Sequence, residues 1–275
     1  PTQLVQRAAA RGVKILGIAD HDTLDGIGEA QFAGRELDVE IIPAIEFSTR
    51  HEHDKHFVGI HLLGYFVDPT HPGLVQTVTQ VKEGRIGQKI EQIKLLQSFG
   101  FEIDVETVFE RVNGVPGRPH IATILMEQNP GRFSGIQQIF DEYLGTGKKA
   151  HVKRAFSLTI SQAATVIWEA GGVHVFAHPA AYDAGIDPLV AVQNATTEGV
   201  IGLEVYYPYQ EGHRPNSGRH WISRMEKLAR RLDLLVTGGT DFHGRPENPV
   251  DLGDMGLTEH QFENFKAGWQ KLRRN

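Results

Sequence analysis

The segment KILGIADHDTLDG, residues 14–26, is an apolar run that stops on Asp20, His21 and Asp22 before turning at Asp25-Gly26. The pattern recurs along the chain. IIPAIEF reaches Glu46, GIHLLGYF carries His61, and GGVHVFAHPA delivers His178. IGLEVYYP carries Glu204, and LLVTGGTDFHG delivers Asp241 and His243 two residues apart after a Gly-Gly turn. Carboxylates and imidazoles gathered at one rim would be poorly solvated or mutually repulsive, and divalent cations are the simplest neutraliser. A mixed set of His and Asp/Glu suits Zn²⁺, Mn²⁺ or Fe²⁺. The chain has 14 histidines and no cysteine, so a metal centre must be built from imidazole and carboxylate.

One histidine or carboxylate at one strand end is as readily a hydrogen-bonded structural group. Glu46 taken alone reads either way, and Asp20 and Glu204 read as satisfied structural carboxylates. His178 carries more weight, because the following proline stops the ladder just beyond it. His174 falls inside an apolar run and reads as a packing residue. His51, His53 and His56 of HEHDKH lie in a polar connection and read as a solvated loop.

The elements that must hold these residues follow from the hydropathy pattern. Apolar runs at 14–19, 40–45, 57–66, 173–177, 200–205 and 234–237 predict strands. Helical periodicity covers 1–11, 27–37, 160–170, 188–196, 220–231 and 258–273. Near-continuous apolar strands alternating with helices argue for a parallel α/β sheet or barrel. The alternation lapses over 73–157, where VQTVTQVKEGRIGQKIEQIKLLQSFG opens a helical, polar stretch with a gap at Gly84-Arg85. The expected organisation is a barrel over 1–72 and 158–275, interrupted by an α-helical insertion over 73–157.

Composition narrows the function classes. A length of 275 residues suits one large domain or a domain with an insertion. A net charge of −6 gives no global attraction to nucleic acid or anionic membrane, so duplex DNA and membranes are not expected partners. No apolar run reaches the ~18 residues of a membrane span. The absence of cysteine fits a reducing cytosol, and a cytoplasmic location is expected.

Taken together, IADHDTLDG, IIPAIEFST, HLLGYFVD, GGVHVFAHP and TGGTDFHG, in that order, resemble the PHP (polymerase and histidinol phosphatase) family. GRPHIATILME and GLEVYYP further resemble its branch that removes the 3′-phosphate of nucleoside 3′,5′-bisphosphates or trims short RNA from the 5′ end. The resemblance implies a distorted seven-stranded β/α (TIM-like) barrel with two or three divalent ions, Mn, Zn, Fe or Mg. It implies His21, Glu46, His61, His178, Asp241 and His243 as metal ligands, with Glu46 bridging two ions and His56 an alternative to His61. Arg118 and His120 of GRPH become substrate-binding residues facing phosphate. His120 and Asp241 become catalytic, with His120 able to protonate the leaving oxygen. The family opens with a strand bearing His-x-His, whereas this chain opens at the helix that follows it, so an upstream segment carrying that strand is expected.

The implied function is metal-dependent hydrolysis of phosphate esters of nucleotides or short RNA by metal-activated water. Rival readings are a phosphatase for another small monoester such as histidinol phosphate, and a non-catalytic metal-stabilised PHP domain. EGHRPNSGRH, with His213, Arg214 and Arg219, reads as a solvated loop able to touch substrate.

Overall fold

Each of the six apolar runs contributes a strand, and helices fill the intervals. In chain order the elements are α1 (Thr2–Ala10), β1 (Ile15–Ile18), α2 (Ile27–Leu37), β2 (Glu40–Ser48), β3 (His61–Tyr65), α3 (Pro72–Ser98), α4 (Val105–Glu110) and α5 (Arg118–Gln128). They continue with α6 (Ile136–Ile139), α7 (Ile160–Glu169), β4 (Val173–Phe176), α8 (Pro188–Thr197), β5 (Gly202–Tyr206), α9 (His220–Leu232), β6 (Leu235–Gly238) and α10 (Glu259–Arg274). This computed structural model describes residues 1–112, 114–182, 185–209, 218–244 and 250–274. His213 and Arg214 lie outside the described residues. Among the described residues no helix is long and apolar enough to cross a membrane.

Local chemistry sets the element boundaries. α7 starts where Thr159 accepts the Gln162 N–H while the Gln162 side chain accepts the Thr159 N–H, a reciprocal cap. α8 starts on Asp187, whose carboxylate takes the N–H groups of Leu189 and Val190, with Pro188 in the first turn. α2 and α9 each stop on an aspartate in the left-handed region, Asp38 and Asp233.

The chain forms two compact units, residues 1–78 with 158–275, and residues 79–157. The first holds a curled six-stranded sheet in the order β1-β2-β3-β4-β5-β6, in a mixed α/β fold. The strands are not all parallel, contrary to the sequence expectation. β3 runs antiparallel to both β2 and β4, whereas β1/β2, β4/β5 and β5/β6 are parallel. The reason is the connection: residues 49–60 hold one 3-10 turn, and a parallel return needs a longer crossover than that. Reversal puts the start of β3, His61, opposite Ser48 at the end of β2. Leu63, Val173, Val175 and Ala177 pack against Phe265 of α10, and Val5, Ile18, Ala30, Ala33 and Val39 join α1 and α2 to the sheet.

The second unit is helical around its own core, with Ile93, Leu96, Ile121, Leu125, Ile139 and Leu144 fully buried. The expected gap at Gly84-Arg85 is not a break, since α3 is continuous over 27 residues. Glycine there answers a packing demand, because a Cβ on Gly84 would lie 3.0 Å from the Phe156 carbonyl oxygen.

Candidate metal centre

The rim of the first unit is assembled by small departures from regular strand geometry. Beyond β1 the ladder gains one more step: the Glu46 N–H donates to the Asp20 carbonyl at 3.1 Å, and the Asp22 N–H donates to the Glu46 carbonyl at 2.9 Å. That bridge sets His21 beside Glu46. Asp22 then turns into the left-handed region at φ 56° and accepts the Ser48 N–H at 2.9 Å. The Asp20 carboxylate lies against Gly26, where a Cβ would meet Oδ2 at 2.7 Å. His178 and Asp241 follow β4 and β6 and also have positive φ, 25° and 50°. Such conformations cost about 1–3 kcal/mol each and persist where the surroundings impose them.

Glu46 is the centre of the arrangement. Its Oε1 lies 2.8 Å from His61 Nδ1 and 3.2 Å from His178 Nε2, and its Oε2 lies 3.5 Å from His21 Nδ1. The donor atoms of His21, Glu46 and His61 all fall within 4.8 Å of one another. One cation with bonds of about 2.1 Å can draw together ligands so spaced. The buried Nδ1 of His178 has no hydrogen-bond partner among the described residues, a polar atom open to a further ligand. His61, and not His56, lies against Glu46; His56 ends the 3-10 turn of the 49–60 loop in an exposed position. The His243 ring stands 6.0 Å from that of His21, and its Nδ1 donates to the Asp241 carbonyl at 2.7 Å. Asp241 accepts a hydrogen bond from the Tyr207 hydroxyl at 3.3 Å. A cavity of 1370 Å³ is bordered by His21, Glu46, His178, Glu204, Asp241 and His243.

The electrostatics favour the ligating forms. Burial alone would raise the Glu46 carboxyl, but hydrogen bonds from His178 and His61 and the nearby His21 hold it well below the usual carboxylate range. Burial pushes the His21 imidazole down, against the pull of Glu46 and with the help of His61. A carboxylate ringed by neutral imidazoles is the protonation state a divalent cation requires.

Three supporting residues were not singled out for this role by sequence reasoning. The buried Tyr182 hydroxyl accepts the His61 N–H at 2.9 Å and donates to the Ala177 carbonyl at 3.1 Å, linking β3 to the end of β4. Tyr207 joins Asp241 to the His178 ring, 5.4 Å from its own. Glu204, read as a structural carboxylate, accepts the His178 N–H at 2.8 Å, and burial with the charges of Asp241 and Glu46 pushes it up to about 8. His174 is buried inside β4, as a packing residue should be.

Arg118 and His120 belong to the second unit. Arg118 opens α5 and donates from Nη1 to the Leu144 carbonyl at 3.4 Å. His120 is exposed, and its Nδ1 accepts the Gly117 N–H at 3.0 Å, which leaves Nε2 uncommitted by that bond. Arg219 precedes α9.

No family model matches the chain. Over 254 residues it is 32% identical to the 5′-3′ exoribonuclease of Haemophilus influenzae, covering 92% of this chain and 87% of that protein. Over 264 residues it is 29% identical to the 3′,5′-nucleoside bisphosphate phosphatase of Chromobacterium violaceum, covering 92% and 85%. A solved structure from Bifidobacterium adolescentis, described as a metal-dependent phosphoesterase, is similar with a TM-score of 0.79 at 25% identity, over 97% of this chain and 90% of that one.

Proposed function

Because the chain belongs to the PHP family of metal-dependent phosphoesterases, in the branch of the 5′-3′ exoribonucleases and nucleoside bisphosphate phosphatases, we propose that it hydrolyses phosphate esters of nucleotides. The substrates we assign are the 3′-phosphate of nucleoside 3′,5′-bisphosphates and the 5′-end linkages of short RNA. The curled sheet is read as six strands of the family's distorted seven-stranded barrel. The observation that carries the proposal is the convergence of His21, Glu46, His61 and His178 from separate strand ends on one point.

These four residues, with Asp241 and His243, are the ones that would hold two or three divalent cations, Mn, Zn, Fe or Mg. Bound there, the cations supply Lewis-acid polarisation of phosphoryl oxygens and acidify water. The protein's own contribution is positional. The two Glu46 oxygens face different imidazoles, Oε2 toward His21 and Oε1 toward His61 and His178, which suits a carboxylate shared between two centres. Neutral His21 keeps its lone pair for ligation, and Tyr207 fixes the Asp241 carboxylate. Arg118 is assigned to the phosphoryl oxygens, as a planar donor fork suited to bidentate contact. His120 is assigned to protonate the leaving oxygen through Nε2.

The test is Mn²⁺-dependent phosphate release from adenosine 3′,5′-bisphosphate, run beside nucleotide release from a 5′-labelled short RNA and phosphate release from histidinol phosphate. Turnover of either nucleotide substrate above the third supports the reading. Turnover of histidinol phosphate alone, or of none with metal bound, refutes it.

A further inference from the structure

The second unit buries a lysine among arginines. Arg85, Lys89 and Gln92 follow one face of α3 at spacings of four and three residues. Residues 150–156 run back along that helix: Gln92 Nε2 donates to the Ala150 carbonyl at 3.3 Å, and Gln88 Nε2 donates to the Val152 carbonyl at 2.6 Å. Gly84 abuts the Phe156 backbone. This antiparallel packing brings Arg154, between Val152 and Phe156, level with the turn of α3 that bears Arg85 and Gln88. Lys89 itself is only 7% exposed, and its ammonium donates to Gln92 Oε1 at 3.0 Å. Gln92 is also buried, so that bond supplies a dipole and no compensating charge.

We infer that Lys89, Arg85, Arg154 and Arg118 of the helical unit form a binding site for a phosphomonoester dianion. Burial, followed by the charges of Arg118, Arg154 and Arg85, pushes the Lys89 ammonium down to about 7, and no carboxylate is among the charges acting on it. Concentrating like charges around a buried ammonium is costly without a counter-charge. A compact dianion with several acceptor oxygens fits this donor set better than a carboxylate, because guanidinium forks and an ammonium can engage different oxygens at once. The source of the phosphoryl group, a nucleotide and not free phosphate, is an assignment that rests on the function proposed above.

The experiment uses metal-stripped protein, so that binding is read without turnover. Inorganic phosphate is titrated calorimetrically against wild type at fixed ionic strength, with chloride as the control anion, and adenosine 5′-monophosphate is titrated in parallel. Wild type should bind phosphate, and Lys89→Met should weaken binding about tenfold or more while unfolding no earlier than wild type without phosphate, since it removes a buried charge. The exposed Arg118→Gln, which puts no core packing at risk, should also weaken it. Equal phosphate affinity in wild type and both variants, or no phosphate binding by wild type, overturns the site. Tighter binding of the nucleotide than of phosphate supports the nucleotide assignment. Phosphate binding without nucleotide binding overturns that assignment and leaves the anion site standing. Loss of nucleotide hydrolysis with phosphate binding intact would count against the proposed function alone.

Discussion

The backbone N–H of His178 points at the Glu204 carboxylate, 2.8 Å away. His178 holds φ at 25°, a conformation it would not adopt unaided, while its imidazole reaches Glu46 at 3.2 Å. One carboxylate thus fixes the backbone whose side chain meets another carboxylate. Glu204 acts on the centre through His178 and is a positioning residue.

Glu204→Leu removes the acceptor and should lower Mn²⁺ affinity about 10–100-fold, whereas Glu204→Gln, which keeps an acceptor oxygen, should recover most of it. Metal titration of the stripped protein reads the difference. Identical affinities in Leu and Gln variants would remove Glu204 from this role.

Tyr182→Phe keeps the ring but strips the hydroxyl that joins the His61 N–H to the Ala177 carbonyl. Both groups then lose this partner at a buried position, a loss of about 1–3 kcal/mol. Urea denaturation measures it, and a change below about 0.5 kcal/mol contradicts the account.

His174 sets part of the acid limb of stability. Burial lowers its imidazole to about 4 from an unfolded value near 6.5, so folding favours the neutral ring. The contribution is fully present above pH 6.5 and is lost as pH falls from there through about 4, to a total on the order of 3 kcal/mol. His174→Leu should flatten the decline in unfolding free energy between pH 6.5 and 4.5. An acid limb as steep as that of wild type would reject the assignment.

Asp241→Asn retains the side-chain shape and the tolerance of asparagine for a left-handed backbone. Nucleotide hydrolysis should fall more than about a hundredfold while the melting temperature moves by no more than about 3 °C. Near-normal metal-dependent turnover in this variant would exclude Asp241 from the centre.

Much of this architecture was legible in the sequence, and the exceptions have physical causes. The strands of the sheet were readable because each is an apolar run bounded by polar or turn residues. The start of β3 was placed too early because Phe57 and Ile60 are fully buried, and burial in a loop looks the same as burial in a strand. Its direction was not legible at all, since hydrophobicity has no polarity; only the short 49–60 connection hinted at reversal. Gly84 read as a break because sequence shows a missing side chain but not the Phe156 backbone that needs the space. The candidate metal residues stood out as charged ends on apolar runs, whereas the hydroxyls of Tyr182 and Tyr207 meet partners distant in sequence, for which local pattern carries no signal.

The left-handed turns at Asp22, His178 and Asp241 have a consequence for how this protein can change. Glycine would relax the backbone at all three, and at each it would delete the side chain that reaches into the rim. A screen for heat resistance and a screen for catalysis would therefore pull these positions in opposite directions. Variants selected for ruggedness alone should accumulate glycine there and lose their chemistry first.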